Sequence, residues 1–339
     1  MFSPRLAAFF PLHSISKVLA PVLLFSAFAF TQNTDFTVFN PPNSVQTVPL
    51  SINNSTDITG YYNDGTKIHG FLRGPGNTFT VIDGPGATAT YGWSINDKNW
   101  ITGYYSTAAG VSGYLRFPNG SFITFEVPGS TGTYPQSINS SNVVTGYFVA
   151  AQDVLGGFVR APDGKITRFY PSGAVSTHPT SINAAGEITG YYADSSGLDH
   201  GFIREANGVI TTFDIESGQT TMPSAIDSAG DITGTYGTLN SPFAFLRSAD
   251  GRVITIAPDG STSTSPNGIS DSGIITGFYS DAQGGYFGFI RTVDGSYSIF
   301  GTPNVNFMLP FSVNDSGEAT GYWQSSVLTT PQGFLFRSE

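Results

Sequence analysis

A triplet of small, hydrophobic and polar residues opens at Ser51, Ser94, Ser137, Ser181, Ala225, Gly268 and Ser312, in steps of 43 or 44 residues. Spacing this regular constrains the chain more than any other feature. Each copy must be one supersecondary unit that buries its apolar face against its neighbours. The copy from Thr180 to Phe213, TSINAAGEITGYYADSSGLDHGFIREANGVITTF, holds four short β-like runs.

The first run, Ser181-Ile182-Asn183, is preceded by Pro179, as its counterparts are by Pro49, Pro135, Pro223, Pro266 and Pro310. Proline is tolerated where a strand begins. Three residues beyond the triplet stand Gly186, Gly230, Gly273 and Gly317, or Asn99 and Asn142. These residues accept positive φ cheaply and predict a tight turn; Thr56 predicts a differently shaped one. The second run carries Thr-Gly in every copy, as in Thr189-Gly190, usually followed by aromatics. A strand glycine implies close approach of another backbone, expected here between packed sheets. The third run is Gly-Phe-aliphatic-Arg, as in Gly201-Phe202-Ile203-Arg204. Asn119-Gly120, Asp163-Gly164, Asn207-Gly208, Asp250-Gly251 and Asp294-Gly295 then predict two-residue type I′ turns into a fourth run. No helical period competes outside the N-terminus.

The last copy stops after its third run, Gly333-Phe334-Leu335-Phe336, while Phe36-Thr37-Val38-Phe39 stands 15 residues before Ser51, where a fourth run belongs. The expected fold is all-β: a seven-bladed β-propeller of four-stranded antiparallel blades. The ring is closed by strand 36–39 completing the last blade, which protects the sheet edges.

Residues 1–29 differ: Arg5 and Lys17 precede an apolar run, VLAPVLLFSAFA, ending in a small-x-small pattern. This reads as a cleaved export signal, too short for a permanent transmembrane helix. It leaves residues 30–339 as one propeller, secreted to the extracellular space or the periplasm. Its removal takes away two of the 14 basic residues and none of the 24 acidic ones, so the net charge becomes −12. That charge disfavours nucleic acid and anionic lipid as partners, and membrane insertion is not expected after processing. With no cysteine in the chain, disulfides, thiolate metal sites and thiol nucleophiles are excluded. A monomer is expected.

The pattern of Ile182, Asn183, Gly186, Gly190 and Tyr191, followed by His200-Gly201-Phe202, resembles the HAF-repeat family of bacterial extracellular proteins. The resemblance runs over residues 36–337. Histidine stands in the family's name-giving His-Ala-Phe triplet only at His69 and His200, glycine usually replaces alanine, and Phe243-Ala244-Phe245 is a partial match. What the resemblance implies is export and a propeller-like repeat, with no agreed activity.

Repeated positions are explained by the fold, so function is sought where copies differ. Tyr91, Tyr134 and His178 occupy one repeat position, filled elsewhere by Val48, Met222, Ser265 and Leu309. They are expected in the connections entering the innermost strands. There, with Trp93, they would form an aromatic, hydrogen-bonding rim at one channel mouth, suited to stacking on a sugar. His69 and His200 share another position and read as strand-edge residues. Arg73, Arg116, Arg160, Arg204, Arg247 and Arg291 recur at a third, which points to a structural task. Acidic residues from Glu187 to Asp231 read as solvated surface charge, although a glycosidase needs two carboxylates across a sugar bond. Asp227–Asp231 and Asn314–Glu318 lack the ligand series of a calcium loop. No nucleophile elbow, zinc helix or phosphate loop is present. No catalytic residue, metal site or cofactor is expected. The function expected is a secreted, non-enzymatic binding protein for a glycan or cell-envelope component. A propeller hydrolase or lyase acting on a polysaccharide and a passive structural repeat are the alternatives.

Overall fold

In the computed structural model each copy of the repeat becomes a four-stranded antiparallel sheet. The structure describes residues 36–238, 241–301, 305–325 and 330–337, all within the unit Thr34–Glu339. The proposed export signal lies outside the described residues. Among those residues there are 28 strands and no α-helix.

The fourth copy shows the pattern: Ser176–Ile182, Ile188–Ala193, Asp199–Arg204 and Ile210–Phe213 pair in chain order. The fifth and sixth copies form separate sheets, while single parallel pairs, Ile68 with Ala89 and Val111 with Gly132, join the first three. In the last sheet Phe36–Phe39 pairs antiparallel with Gln332–Arg337, Phe36 opposite Phe336 and Phe39 opposite Gly333.

Hydrogen bonds also link successive first strands. The Ile95, Ile138 and Ile182 N–H groups donate to the Ser51, Ser94 and Ser137 hydroxyls, each at 3.3 Å. Thr180, Ser224 and Asn267 donate to the carbonyls of Pro223, Pro266 and Pro310. Ile52 N donates to Ser312 Oγ at 3.3 Å, between the first copy and the last.

Three local expectations are corrected. The Thr-Gly glycines do not serve packing between sheets. A Cβ on Gly190 would stand 2.2 Å from the His178 carbonyl oxygen, and one on Gly103 2.0 Å from that of Tyr91. The close approach is to the neighbouring strand of the same sheet, beside the register shift between Pro179 and Ser181. Thr56 makes no different turn: it takes φ 64° and donates to Asn53 O at 3.0 Å, as Gly186 does to Asn183 O. The neighbours impose a left-handed conformation on a β-branched residue. The Asn-Gly and Asp-Gly pairs do not form type I′ turns. Only the glycine has positive φ, as at Gly120 (87°), and Gly120 N bonds Phe117 O. This is a longer loop whose last residue is left-handed. Asn119 Oδ1 accepts from Ser121 N instead.

Between sheets, Ile58, Ile101, Val144, Ile188, Ile232 and Ile275 are fully buried, as are Phe71, Phe158, Phe202, Phe245, Phe289 and Phe334. Each such side chain contributes about 1.5–3 kcal/mol. Three of the six repeated arginines lie over phenylalanines of the preceding sheet: Arg160 over Phe125, Arg204 over Phe169, Arg247 over Phe213. Arg73 covers Phe39 of the N-terminal strand at 4.7 Å. A planar cation on a ring face suits arginine at these four positions, while Arg116 and Arg291 make no such contact among the described residues.

Candidate functional site

Tyr91, Trp93, Tyr134 and His178 do not lie in connections. They sit inside the first strands Ala89–Ile95, Gly132–Ile138 and Ser176–Ile182. The strands begin earlier than the prolines suggest, because the ladder runs through Pro179 and resumes after the bulge.

The structure does bring these residues together, through partners on the second strands. Tyr91 is opposite Tyr104, Tyr134 opposite Tyr147 and His178 opposite Tyr191. Each pair stacks with ring centroids 4.8 Å apart. Between sheets the rings meet edge-on or tilted: Tyr61 with Tyr91 at 4.9 Å, Tyr104 with Tyr134 at 5.1 Å, Tyr147 with His178 at 5.7 Å. A continuous aromatic arc therefore runs from Tyr61 to Tyr191 across four copies, with Trp93 5.6 Å from Tyr104. It stops where Met222 faces Thr235.

Burial sets the charge state of the arc. It holds the Tyr61, Tyr104, Tyr147 and Tyr191 hydroxyls far above the usual phenol range, and raises those of Tyr91 and Tyr134. It also lowers His178 to about 4, so the imidazole is neutral near pH 7. Among the described residues the hydroxyls of Tyr91, Tyr104, Tyr134 and Tyr147 and the His178 nitrogens have no hydrogen-bond partner, and none is sealed from solvent. Among the described residues no carboxylate is hydrogen-bonded to His178 to make an acid–base pair.

Sequence reading missed Tyr61, Tyr104, Tyr147 and Tyr191. They follow the Thr-Gly pair and look like scaffold. Their signal is positional: each stands directly opposite the variable residue of the first strand.

The other end of the first strands is polar. Asn53, Asn96, Asn139 and Asn183 each donate from Nδ2 to the corresponding carbonyl of the next copy, at 2.9–3.1 Å. Asn314 donates to Asn53 O at 3.2 Å. A cavity of about 200 Å³ opens within this belt, lined by Asn54, Asp97, Ser140, Ala184, Asp271 and Asp315 among others. It lies at the far end of the first strands from the arc, with Asp97 six residues beyond Tyr91 and Ala184 six beyond His178. The predicted aromatic residues do not line it.

His69 and His200 are not idle edge residues. His200 Nδ1 bonds Asp214 at 2.7 Å and Nε2 faces Asp194 at 3.4 Å, while His69 bridges Asp83 and Asp64. These carboxylates raise His200 against the opposing effect of burial. The remaining acidic residues are dispersed: Glu187 accepts from Asn183, and Asp231 from Ala249 N. In the two hairpins considered for calcium, Asp227 Oδ1 and Asn314 Oδ1 accept from N–H groups of their own turns. Among the described residues no three His, Asp or Glu side chains are placed to hold a metal ion, and no helix is long and apolar enough to cross a membrane.

No protein-family model matches the chain, and no curated protein does. Solved structures match in fold. A streptogramin B lyase is similar with a TM-score of 0.58 at 10% identity, covering 89% of this chain and 97% of its own. The fold is propeller-like. A catalytically inactive virginiamycin B lyase from Staphylococcus aureus with quinupristin has TM-score 0.58 at 11% identity, over 89% of this chain and 99% of that one. A prolyl endopeptidase reaches 0.61 at 12% identity, over 87% of this chain and 51% of the other. At such identities the likeness extends to fold alone.

Proposed function

We propose that this chain is an exported seven-bladed β-propeller of the HAF-repeat type that binds an uncharged glycan without transforming it. Seven blades are supported by seven copies of one strand pattern. Closure is supported by the pairing of Phe36–Phe39 with Gln332–Arg337, by Arg73 over Phe39, and by the bond from Asn314 to Asn53. Export is supported by the N-terminal sequence.

The observation that carries the binding reading is the aromatic arc from Tyr61 to Tyr191. Its ring faces are largely occupied by one another, so a ligand meets ring edges and a line of hydroxyl groups. Such a surface suits a saccharide chain with many hydroxyls. Every titratable member of the arc is neutral at pH 7, which favours an uncharged ligand over an anionic one. A lyase or hydrolase reading needs an acid and a base within reach of one bond. His178 stacks on Tyr191 and tilts against Tyr147, and among the described residues no carboxylate is hydrogen-bonded to it, which favours binding over turnover.

The test is a panel of neutral and acidic polysaccharides, read both by direct binding and by release of new sugar ends. Binding to a neutral glycan is expected, with no release. Tyr134→Phe, which keeps the ring and removes the hydroxyl, should weaken it several-fold, about 0.5–1.5 kcal/mol. Absence of binding across the panel, or release of products, would overturn the reading.

A further inference from the structure

The asparagine belt is interrupted in two successive copies, by the acid Asp227 in the fifth and by Ser270 in the sixth. Asn53, Asn96, Asn139, Asn183 and Asn314 each donate to the carbonyl of the following copy. The fifth copy has Asp227 at this position, only 3% exposed. Its Oδ1 accepts from Ala229 N at 3.0 Å and Asp231 N at 2.8 Å, just as Asn183 Oδ1 accepts from Glu187 N at 2.9 Å. Its Oδ2 therefore stands where the other copies carry the donating amide. An ionised carboxylate has no proton to donate.

The groups around Asp227 do not favour its charge. Glu187 approaches from the preceding hairpin, its Oε2 3.6 Å from a Cβ built on Gly230. Asp231 lies on the same hairpin, and Asp271 on the next accepts from Ser228 N at 2.9 Å. The cation in register, Arg247 opposite Ile232, lies over Phe213 and donates to Ser248 O. Burial first, then Asp231 and Asp271, raise the Asp227 carboxyl to about 6 against two backbone hydrogen bonds that lower it.

We infer that Asp227 is a protonation-dependent latch between the fifth and sixth sheets. Protonated, its Oδ2–H donates to the Ser270 carbonyl and extends the belt by one step. Ionised, it leaves that step open and places a charge among three other acids. The sign follows from linkage. A carboxyl raised in the folded state stabilises it fully below the unfolded value of about 4, and that contribution fades as pH rises towards 6. Above about 6 the loss is complete.

Asp227→Asn installs the belt's own residue, with a donor at every pH. In thermal unfolding of the mature chain this variant should melt about 2 °C above wild type at pH 7.5, with the gap closing near pH 4. Comparing the two proteins removes the titration of every other acid. Asp227→Ala, which removes the charge without supplying a donor, should melt below the Asn variant at pH 7.5. The carboxyl carbon resonance of Asp227, assigned by its loss in the Asn variant, should titrate with a midpoint near 6. A gap that is the same at both pH values, an Ala variant matching the Asn variant, or a midpoint at or below 4 would each overturn the latch.

Discussion

The two ends of the first strands solve the same packing problem with opposite chemistry. At one end successive sheets are joined by asparagine amides that reach a partner carbonyl, in geometry that hardly changes between copies. At the other end the sheets meet through side chains whose identity varies: tyrosine in the second and third copies, histidine in the fourth, methionine in the fifth. Where a polar atom is spoken for, substitution leaves a buried group unpaired, and asparagine holds five of the seven positions, with Asp227 and Ser270 the exceptions. Ring against ring asks only for shape, so residues can differ, and their hydroxyls remain open to solvent. The conserved geometry marks the frame, and the varied geometry is where a ligand can be recognised.

The sharpest way to break this contrast is at Gly190, which belongs to the aromatic end but is repeated in every copy. A methyl there meets the His178 carbonyl and the Pro179 Cα, both backbone atoms that cannot swing aside. Gly190→Ala should cost about 3 kcal/mol or more by overpacking. A denaturation midpoint unchanged from wild type would show that the bulge is not what holds His178 against Tyr191.

A smaller effect is expected in the belt. Asn139→Ala strands the N–H groups of Ser141 and Val143 as well as Asn183 O, and Asn314→Ala does the same to its turn and to Asn53 O. Each should cost about 2 kcal/mol. If the last sheet docks on the first as the others dock in series, chemical denaturation will give the two variants similar losses. A much smaller loss for Asn314→Ala would argue against a closed ring.

The smallest effect is expected next to His178. The hydroxyls of Thr90, Thr133 and Thr221 accept from the N–H six residues earlier, Val127 N to Thr133 at 2.9 Å for example. Before Thr177 that place is Pro171, which has no N–H, and the buried Thr177 hydroxyl has no partner. Thr177→Val should change stability by less than about 0.5 kcal/mol, whereas Thr133→Val should lose about 1 kcal/mol. Equal losses would mean that Thr177 has a partner after all.

Much of this was legible in the residues. The spacing of prolines, Thr-Gly pairs and Gly-Phe strands located the strands, and the orphan run at Phe36 was matched to its sheet. What escaped were relations across the chain. From sequence Gly190 reads as a contact between sheets, because a glycine announces a close approach without naming what approaches. Thr56 was expected to bend its turn differently because propensity was weighed without the bonds that fix the backbone. The arc was half seen: Tyr91, Tyr134 and His178 stood out by varying. Their partners Tyr104, Tyr147 and Tyr191 became visible only once the bulge after the proline set the register. The belt went unnoticed because its bonds join residues 43 or 44 positions apart, and Asp227 reads as an ordinary turn residue until the equivalent residues of five other copies are seen to be asparagines.

The strand Phe36–Phe39 has a consequence for the order of assembly. Its partner, Gln332–Arg337, lies about three hundred residues downstream, so on synthesis the earliest described strand waits for the latest. Sheets made from consecutive residues can form as they emerge, but this one is a long-range closure and carries the entropy cost of the whole intervening chain. Until residue 337 is available, Phe39 has neither Gly333 opposite it nor the rest of its sheet behind it. That sheet therefore lacks its outer strand while the chain is being made, and the pairing of Phe36–Phe39 with Gln332–Arg337 is the one that must wait longest.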